Sequence, residues 1–168
     1  SLRGVVHVYG FYIFLIAGVV LVSMTSDSAL RWVIVGYTGS LVALFGISAV
    51  YHRVAWSLKI RPWIRRLDHC MIFVAIAGSL SPFVFALGAD KGQWVTEVIW
   101  LSVAAGILTK LCWINAPDWV SSCMYVAVSW VAIVIFPDIA EAVGSIAVGL
   151  LLLGGVFYSV GAVIYAMN

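Results

Sequence analysis

Six long apolar segments constrain the fold of this chain more than any other feature of its sequence. The first, residues 5–24, contains no Asp, Glu, Lys or Arg. A helix of about 20 apolar residues crosses the roughly 30 Å hydrocarbon core of a bilayer. Because the segments match this length, we predict membrane-spanning helices at residues 5–24, 29–52, 67–87, 94–114, 119–136 and 143–167.

The composition as a whole supports a membrane environment. Hydrophobic residues make up 64% of the 168 residues and charged residues only 10%, whereas soluble domains carry about 25% charged residues. Such a chain cannot cover a water-facing surface, which excludes a soluble globular fold and also intrinsic disorder. The sequence predicts an all-α, polytopic integral membrane helical bundle that forms one transmembrane domain over residues 1–168. The net charge of +2 gives no indication of nucleic-acid binding.

Short polar segments separate the predicted spans and orient them. The connection between the second and third spans is strongly basic, and the positive-inside rule therefore places it, and the N-terminus, in the cytoplasm. Lys110 lies near the end of the fourth span, where we expect its side chain to snorkel to the interface. The basic residues are Arg53, Lys59, Arg61, Arg65 and Arg66, and turns are predicted at residues 25–28, 88–92, 115–118 and 137–138.

Three polar side chains are predicted to meet at the cytoplasmic ends of the second and third spans. Ser48 and His52 are four residues apart and share a helix face, and Asp68 stands at the start of the next span. Ionisable groups at this depth are costly and are candidates for function. A neutral imidazole and a carboxylate suit a zinc site. Each residue also has a simpler interpretation: an interfacial histidine, a helix-start acid and a packing serine.

Two further histidines and three cysteines lie in or beside the spans. His7 is a second candidate ligand at the same level of the membrane, or else a capping or interfacial residue. His69 follows Asp68 by one position, about 100° around the helix, so the two side chains do not face one ion. The cysteines form no C-x-x-C pair and are predicted to be small buried hydrophobic residues; they are Cys70, Cys112 and Cys123.

These motifs resemble one known family. The Ser48-x-x-x-His52 pair, the basic connection, the Leu67-Asp68-His69-Cys70 sequence and the segment 77–83 are similar to the haemolysin III family. That family belongs to the wider progestin and adipoQ receptor superfamily, which is related to alkaline ceramidases. The resemblance covers essentially the whole chain.

The resemblance implies a seven-helix fold in a bacterial inner membrane, with a cytoplasmic N-terminus and a zinc site on the cytoplasmic side. It implies that His52 is one zinc ligand, that Asp68 holds the catalytic water and that Ser48 lies beside it. The family's other two zinc-binding histidines lie in an H-x-x-x-H motif on a seventh helix. We therefore expect six of seven helices, and an incomplete zinc site, in the sequence up to Asn168.

Three functions are compatible with this interpretation. The first is a zinc-dependent, ceramidase-like hydrolase that cleaves a lipid amide or ester, with membrane lipids as partners. The second is a non-enzymatic receptor-like protein, or one acting in ion or membrane homeostasis, with a structural metal. The third is a pore-forming haemolysin. It is disfavoured because pore formers are usually soluble or amphipathic before they insert, whereas these helices are apolar all round.

Overall fold

The computed structural model describes residues 2–113 and 117–167 and shows only helices and their connections over these residues. Six helical segments are long and apolar enough to cross a membrane. The predicted all-helical membrane fold is therefore confirmed. The α-helices are α1 (Leu2–Met24), α2 (Ser28–Arg53), α3 (Arg61–Phe85), α4 (Gly88–Cys112), α5 (Asp118–Trp130), α6 (Phe136–Val143) and α7 (Ser145–Ala166), and a 3-10 helix (Val131–Ile135) joins α5 to α6.

The helices group into two compact units, Ser1–Pro82 and Phe83–Asn168. In the first unit, α1 and α2 pack against each other as antiparallel helices. Glycines of α1 face larger side chains of α2: a Cβ atom at Gly10 would lie 2.5 Å from the Phe45 ring, and one at Gly18 would lie 2.9 Å from Thr38 Cβ. The missing side chains let the two helices approach closely, as small residues do in membrane bundles.

The connection between α1 and α2 agrees with the predicted turn at residues 25–28. Asp27 has an extended backbone, and its side chain accepts a hydrogen bond of 2.6 Å from the Leu30 amide. This is the usual way in which a carboxylate satisfies one of the unpaired amides at a helix start. The Arg31 guanidinium also donates to the Thr25 carbonyl, which closes the turn from the other side.

Helix α3 begins at Arg61, six residues before the predicted boundary at Leu67. Arg65 and Arg66 therefore lie on the helix rather than in the connection. The apolar pattern marks only the membrane-embedded length, whereas the helix continues into polar sequence. The Arg66 guanidinium lies 4.7 Å from the centre of the Trp63 ring, and such a cation–π contact stabilises this first part of the helix.

Within the second unit, two predicted turns lie inside helices. Residues 88–92 form the start of α4, because only the turn at residues 86–87 separates it from α3, and Gly88 follows that turn with φ of 80°. Residues 137–138 form the start of α6, where the missing amide of Pro137 leaves no hydrogen bond unmade. The chain reverses instead at Gly144, with φ of 90°. An ion pair of 2.5 Å joins Lys91 of α4 to Asp138 of α6.

Lys110 differs from the prediction that it snorkels to the interface. Its side chain is 3% exposed, and its ammonium donates a hydrogen bond to the Ser121 hydroxyl. The ammonium also lies 5.9 Å from the centre of the Tyr125 ring. Ser121 and Tyr125 are one turn apart on α5 and so offer a polar face for the cation, which makes burial within this unit possible.

Candidate functional site

His52 lies in the last turn of α2 and faces α1. A Cβ atom at Gly4 would lie 3.3 Å from His52 Cβ and 2.7 Å from Arg53 Cγ. Thr38, Phe45 and His52 recur every seven residues on α2, and all three contact α1. This heptad spacing keeps one face of α2 against its partner helix, so helix packing fixes the position of His52.

The structure brings His7 of α1 next to His52. The centres of the two imidazole rings are 5.8 Å apart, with an angle of 34° between the ring planes. The centres of the His7 and Phe45 rings are 5.7 Å apart, and those of the Tyr51 and His52 rings are 4.8 Å apart. The sequence identified His7 only as a second candidate at the same level. The packing of α1 on α2 makes the two histidines neighbours.

Ser48 is placed beside His52 by α2 itself, whereas the level of Asp68 is extrapolated from one contact between α2 and α3. Ser48 is 4% exposed and lies one turn from His52 on α2. The α2–α3 register follows from Gly78, where a Cβ atom would lie 2.8 Å from Ser40 Cβ. Counting ten residues from Ser40 toward the basic connection leads to residue 50 on α2. Counting ten residues from Gly78 in the same direction leads to Asp68 on α3. At 1.5 Å per residue, Ser48 and His52 each lie about 3 Å along the axis from that level.

The remaining candidates have local roles in the structure. His69 Nδ1 lies 2.7 Å from the carbonyl oxygen of Arg65, one turn back on its own helix. Cys70 is buried, as predicted. Cys112 and Cys123 are exposed, so the prediction of burial is wrong for these two. They lie on the outer faces of α4 and α5, where a small apolar side chain is compatible with contact to lipid.

The part of the chain that the structure describes does not gather three His, Cys, Asp or Glu side chains that could hold a metal ion. It does place two imidazoles, His7 and His52, side by side. A catalytic zinc ion usually has three protein ligands and one open position. The described residues therefore fit part of a zinc site, with His52 as one donor, and the predicted zinc stays a prediction.

Sequence reasoning missed the polar cluster in the second unit. Lys110 and Ser121 are bonded, and the neighbouring Ser122 has a buried hydroxyl that makes no hydrogen bond. A lysine inside an apolar span was the available signal. Its burial could not be read from the sequence, because the chain does not reveal which face of α4 packs on α5.

Comparison with known proteins then identifies the family. The family model described as haemolysin-III related matches residues 1–168. The chain belongs to this family. It is 26% identical over 167 residues to the hemolysin-3 homolog of Bacillus subtilis (strain 168), which covers 97% of this chain and 78% of that protein. It is 28% identical over 142 residues to hemolysin-3 of Bacillus cereus, covering 84% of this chain and 64% of that protein.

These matches confirm the family that the motifs suggested. Together with the six candidate spans, they establish a multi-pass membrane protein of the haemolysin-III-related family. Both relatives are longer than the regions matched here. The activity, substrates and partners of the whole protein are therefore treated as proposals.

Proposed function

We propose that this haemolysin III-type protein is a zinc-dependent membrane hydrolase that cleaves a lipid amide or ester near the cytoplasmic face of a bacterial inner membrane. The proposal is supported by the pairing of Ser48 and His52 on one face of α2 and by the helix register, which brings Asp68 to a similar level. Buried Ser48 is one turn from His52, and counting ten residues from the contact between Gly78 and Ser40 supports a similar height for Asp68.

Each of the three side chains has a role in this proposal. In this proposal His52 contributes one imidazole to the zinc ion, and the two further histidines are expected on a seventh helix, as the resemblance implies. When bound, zinc would polarise a substrate carbonyl and lower the pKa of its water to about 7. Asp68 accepts the proton of the attacking water and returns it to the leaving group. The Ser48 hydroxyl donates a hydrogen bond to the oxygen that becomes negative during the attack.

The position of the site selects the class of substrate. The site lies at the ends of apolar helices, and many large apolar side chains of α1 and α2 are exposed on the surface of the unit. In a bilayer those faces contact lipid chains. A substrate with acyl chains in the membrane and a carbonyl near the interface would reach His52 without leaving the bilayer.

The test is hydrolysis of a long-chain ceramide and of a matched diacyl ester by the protein expressed from its complete gene and reconstituted in lipid nanodiscs. We expect zinc-dependent release of fatty acid from at least one substrate. Asp68→Asn should lower kcat by about 10²–10⁴-fold, the usual contribution of a positioned general base. His69→Ala is the matched control, because His69 neighbours Asp68 on the same helix and bonds to its own backbone.

Two results would contradict the proposal: the first refutes the site, and the second refutes the hydrolase. One is full activity in Asp68→Asn or in His52→Ala. The other is bound zinc with no turnover of either lipid, together with lower stability in His52→Ala. That second result would favour the non-enzymatic function with a structural metal.

Haemolysis, which the apolar helices disfavour, is tested as well because both relatives are named for it. It predicts leakage of a trapped dye from liposomes that does not depend on zinc or on Asp68. A hydrolase predicts sealed liposomes when the substrate lipid is absent, so the two functions separate in one assay.

A further inference from the structure

His7 belongs to a regular seam along α1. Gly4, His7, Phe11, Phe14 and Gly18 recur at alternating intervals of three and four residues, and each contacts α2. This is the spacing of residues that face a partner helix in a coiled coil. The seam is otherwise built of glycine and phenylalanine. A phenylalanine side chain would therefore also pack at the position of His7.

The imidazole of His7 differs from a phenylalanine ring by its two ring nitrogens, which lie beside His52. Phe45 packs against His7 on one side and is stacked on Phe14 at 5.0 Å. Such ring contacts restrict the rotation of His7. The ring of His52 contacts the ring of His7, with the ring centres 5.8 Å apart, and the ring of Tyr51, with the centres 4.8 Å apart. The orientation of His52 therefore depends on the ring that α1 places against it.

We propose that His7 is a positioning residue for the metal ligand His52. One nitrogen of His52 faces the metal, and the other donates its N–H to a nitrogen of His7. Histidines that bind a metal almost always donate their second N–H to a nearby acceptor, which fixes the tautomer and the ring orientation. The inference rests on the proposed role of His52 in zinc binding and adds the residue that holds it.

The geometry is compatible with this bond. A linear N–H···N bond of about 3 Å places the centres of two imidazoles roughly 5–5.5 Å apart. The observed separation is 5.8 Å, so an approach of about 0.5 Å, with the two nitrogens turned toward each other, would close the bond. Hydrogen bonds of this kind often tighten when a site is loaded. The backbone approach at Gly4 holds the start of α1 against His52, so the two rings stay within reach.

The experiment measures zinc affinity and the number of imidazoles bound to zinc. The protein expressed from its complete gene is purified in detergent, stripped of metal, and titrated with zinc in competition with a chromogenic chelator. X-ray absorption on the zinc-loaded protein counts the imidazole ligands. His7→Phe keeps the packing that Phe11 and Phe14 already show, His7→Gln keeps a hydrogen-bond acceptor, and His69→Ala is the control.

We expect His7→Phe to weaken zinc binding by about 10–100-fold, with an unchanged imidazole count and unchanged thermal stability of the metal-free protein. His7→Gln should recover most of the affinity, and His69→Ala should match the wild type. Unchanged affinity in His7→Phe would overturn the proposal. A lower imidazole count would also overturn it, because His7 would then be a ligand itself.

The same data separate this inference from the function on which it rests. Loss of zinc binding in His52→Ala with no effect of His7→Phe would refute only the role of His7. No effect of His52→Ala would refute the zinc site at His52, and with it both proposals.

Discussion

The contact between α2 and α3 at Gly78 allows a quantitative test of the packing that sets the level of Asp68. In Gly78→Ala the new Cβ atom would lie 2.8 Å from Ser40 Cβ and closer still to the Ser40 hydroxyl. Carbon atoms in contact normally stand about 3.5–4 Å apart. The two helices must therefore separate locally by about 1 Å.

Two effects of the substitution oppose each other. Overpacking of this kind typically costs about 1–3 kcal/mol, whereas replacing glycine by alanine inside a helix gains up to about 1 kcal/mol. Ser40 is 7% exposed, and one of the clashing atoms is its own Cβ, which no rotation of the side chain can move away. We expect Gly78→Ala to lower the free energy of unfolding by about 1–2 kcal/mol.

The assay is the free energy of unfolding in mixed micelles as a function of denaturing detergent. Gly39→Ala on α2 is the matched control, because a Cβ atom there meets open space. The double variant Ser40→Gly, Gly78→Ala moves the missing side chain to the other helix and should show a favourable coupling energy. A Gly78→Ala protein as stable as Gly39→Ala, or a double variant with no coupling, would refute the close packing.

Two further substitutions test the second unit. Ser121→Ala removes the hydroxyl that accepts from buried Lys110 and should cost about 1–3 kcal/mol. Ser102→Ala, whose exposed hydroxyl bonds its own helix backbone, should cost less, and equal losses in the same unfolding assay would contradict the pairing. Gly144→Ala places a side chain at φ 90°, ψ 157°, a region that is nearly exclusive to glycine and costs about 1–3 kcal/mol. Gly149→Ala, inside α7 with open space around it, should be neutral or stabilising, and an unchanged Gly144→Ala protein would show that the reversal tolerates a side chain.

Much of the site could be predicted because its spacing is local. Ser48 and His52 are four residues apart, and a helix places such residues on one face whatever the rest of the chain does. Asp68 was predicted to join them because the connection between the second and third spans is short. The height of Asp68 relative to the other two nevertheless depends on a close approach at Gly78, ten residues away, which no local pattern reveals.

The differences between the predicted spans and the observed helices have one physical origin. Apolar runs mark how much of a helix a bilayer can hold, but backbone hydrogen bonds continue wherever the sequence tolerates a helix. Helix α3 therefore starts at Arg61, and Pro137 lies in the first turn of α6. The chain reverses where glycine adopts a positive φ, at Gly88 and Gly144.

The sequence by itself determined the six apolar spans, the family and the Ser48–His52 face, because a bilayer demands long apolar helices and a helix fixes neighbours four residues apart. Only the tertiary structure decided that His7 meets His52 and that Lys110 is buried beside Ser121. Both depend on which helix faces pack and in what register. Pairs such as Gly10 with Phe45 set that register, and their complementarity exists only once two helices are side by side.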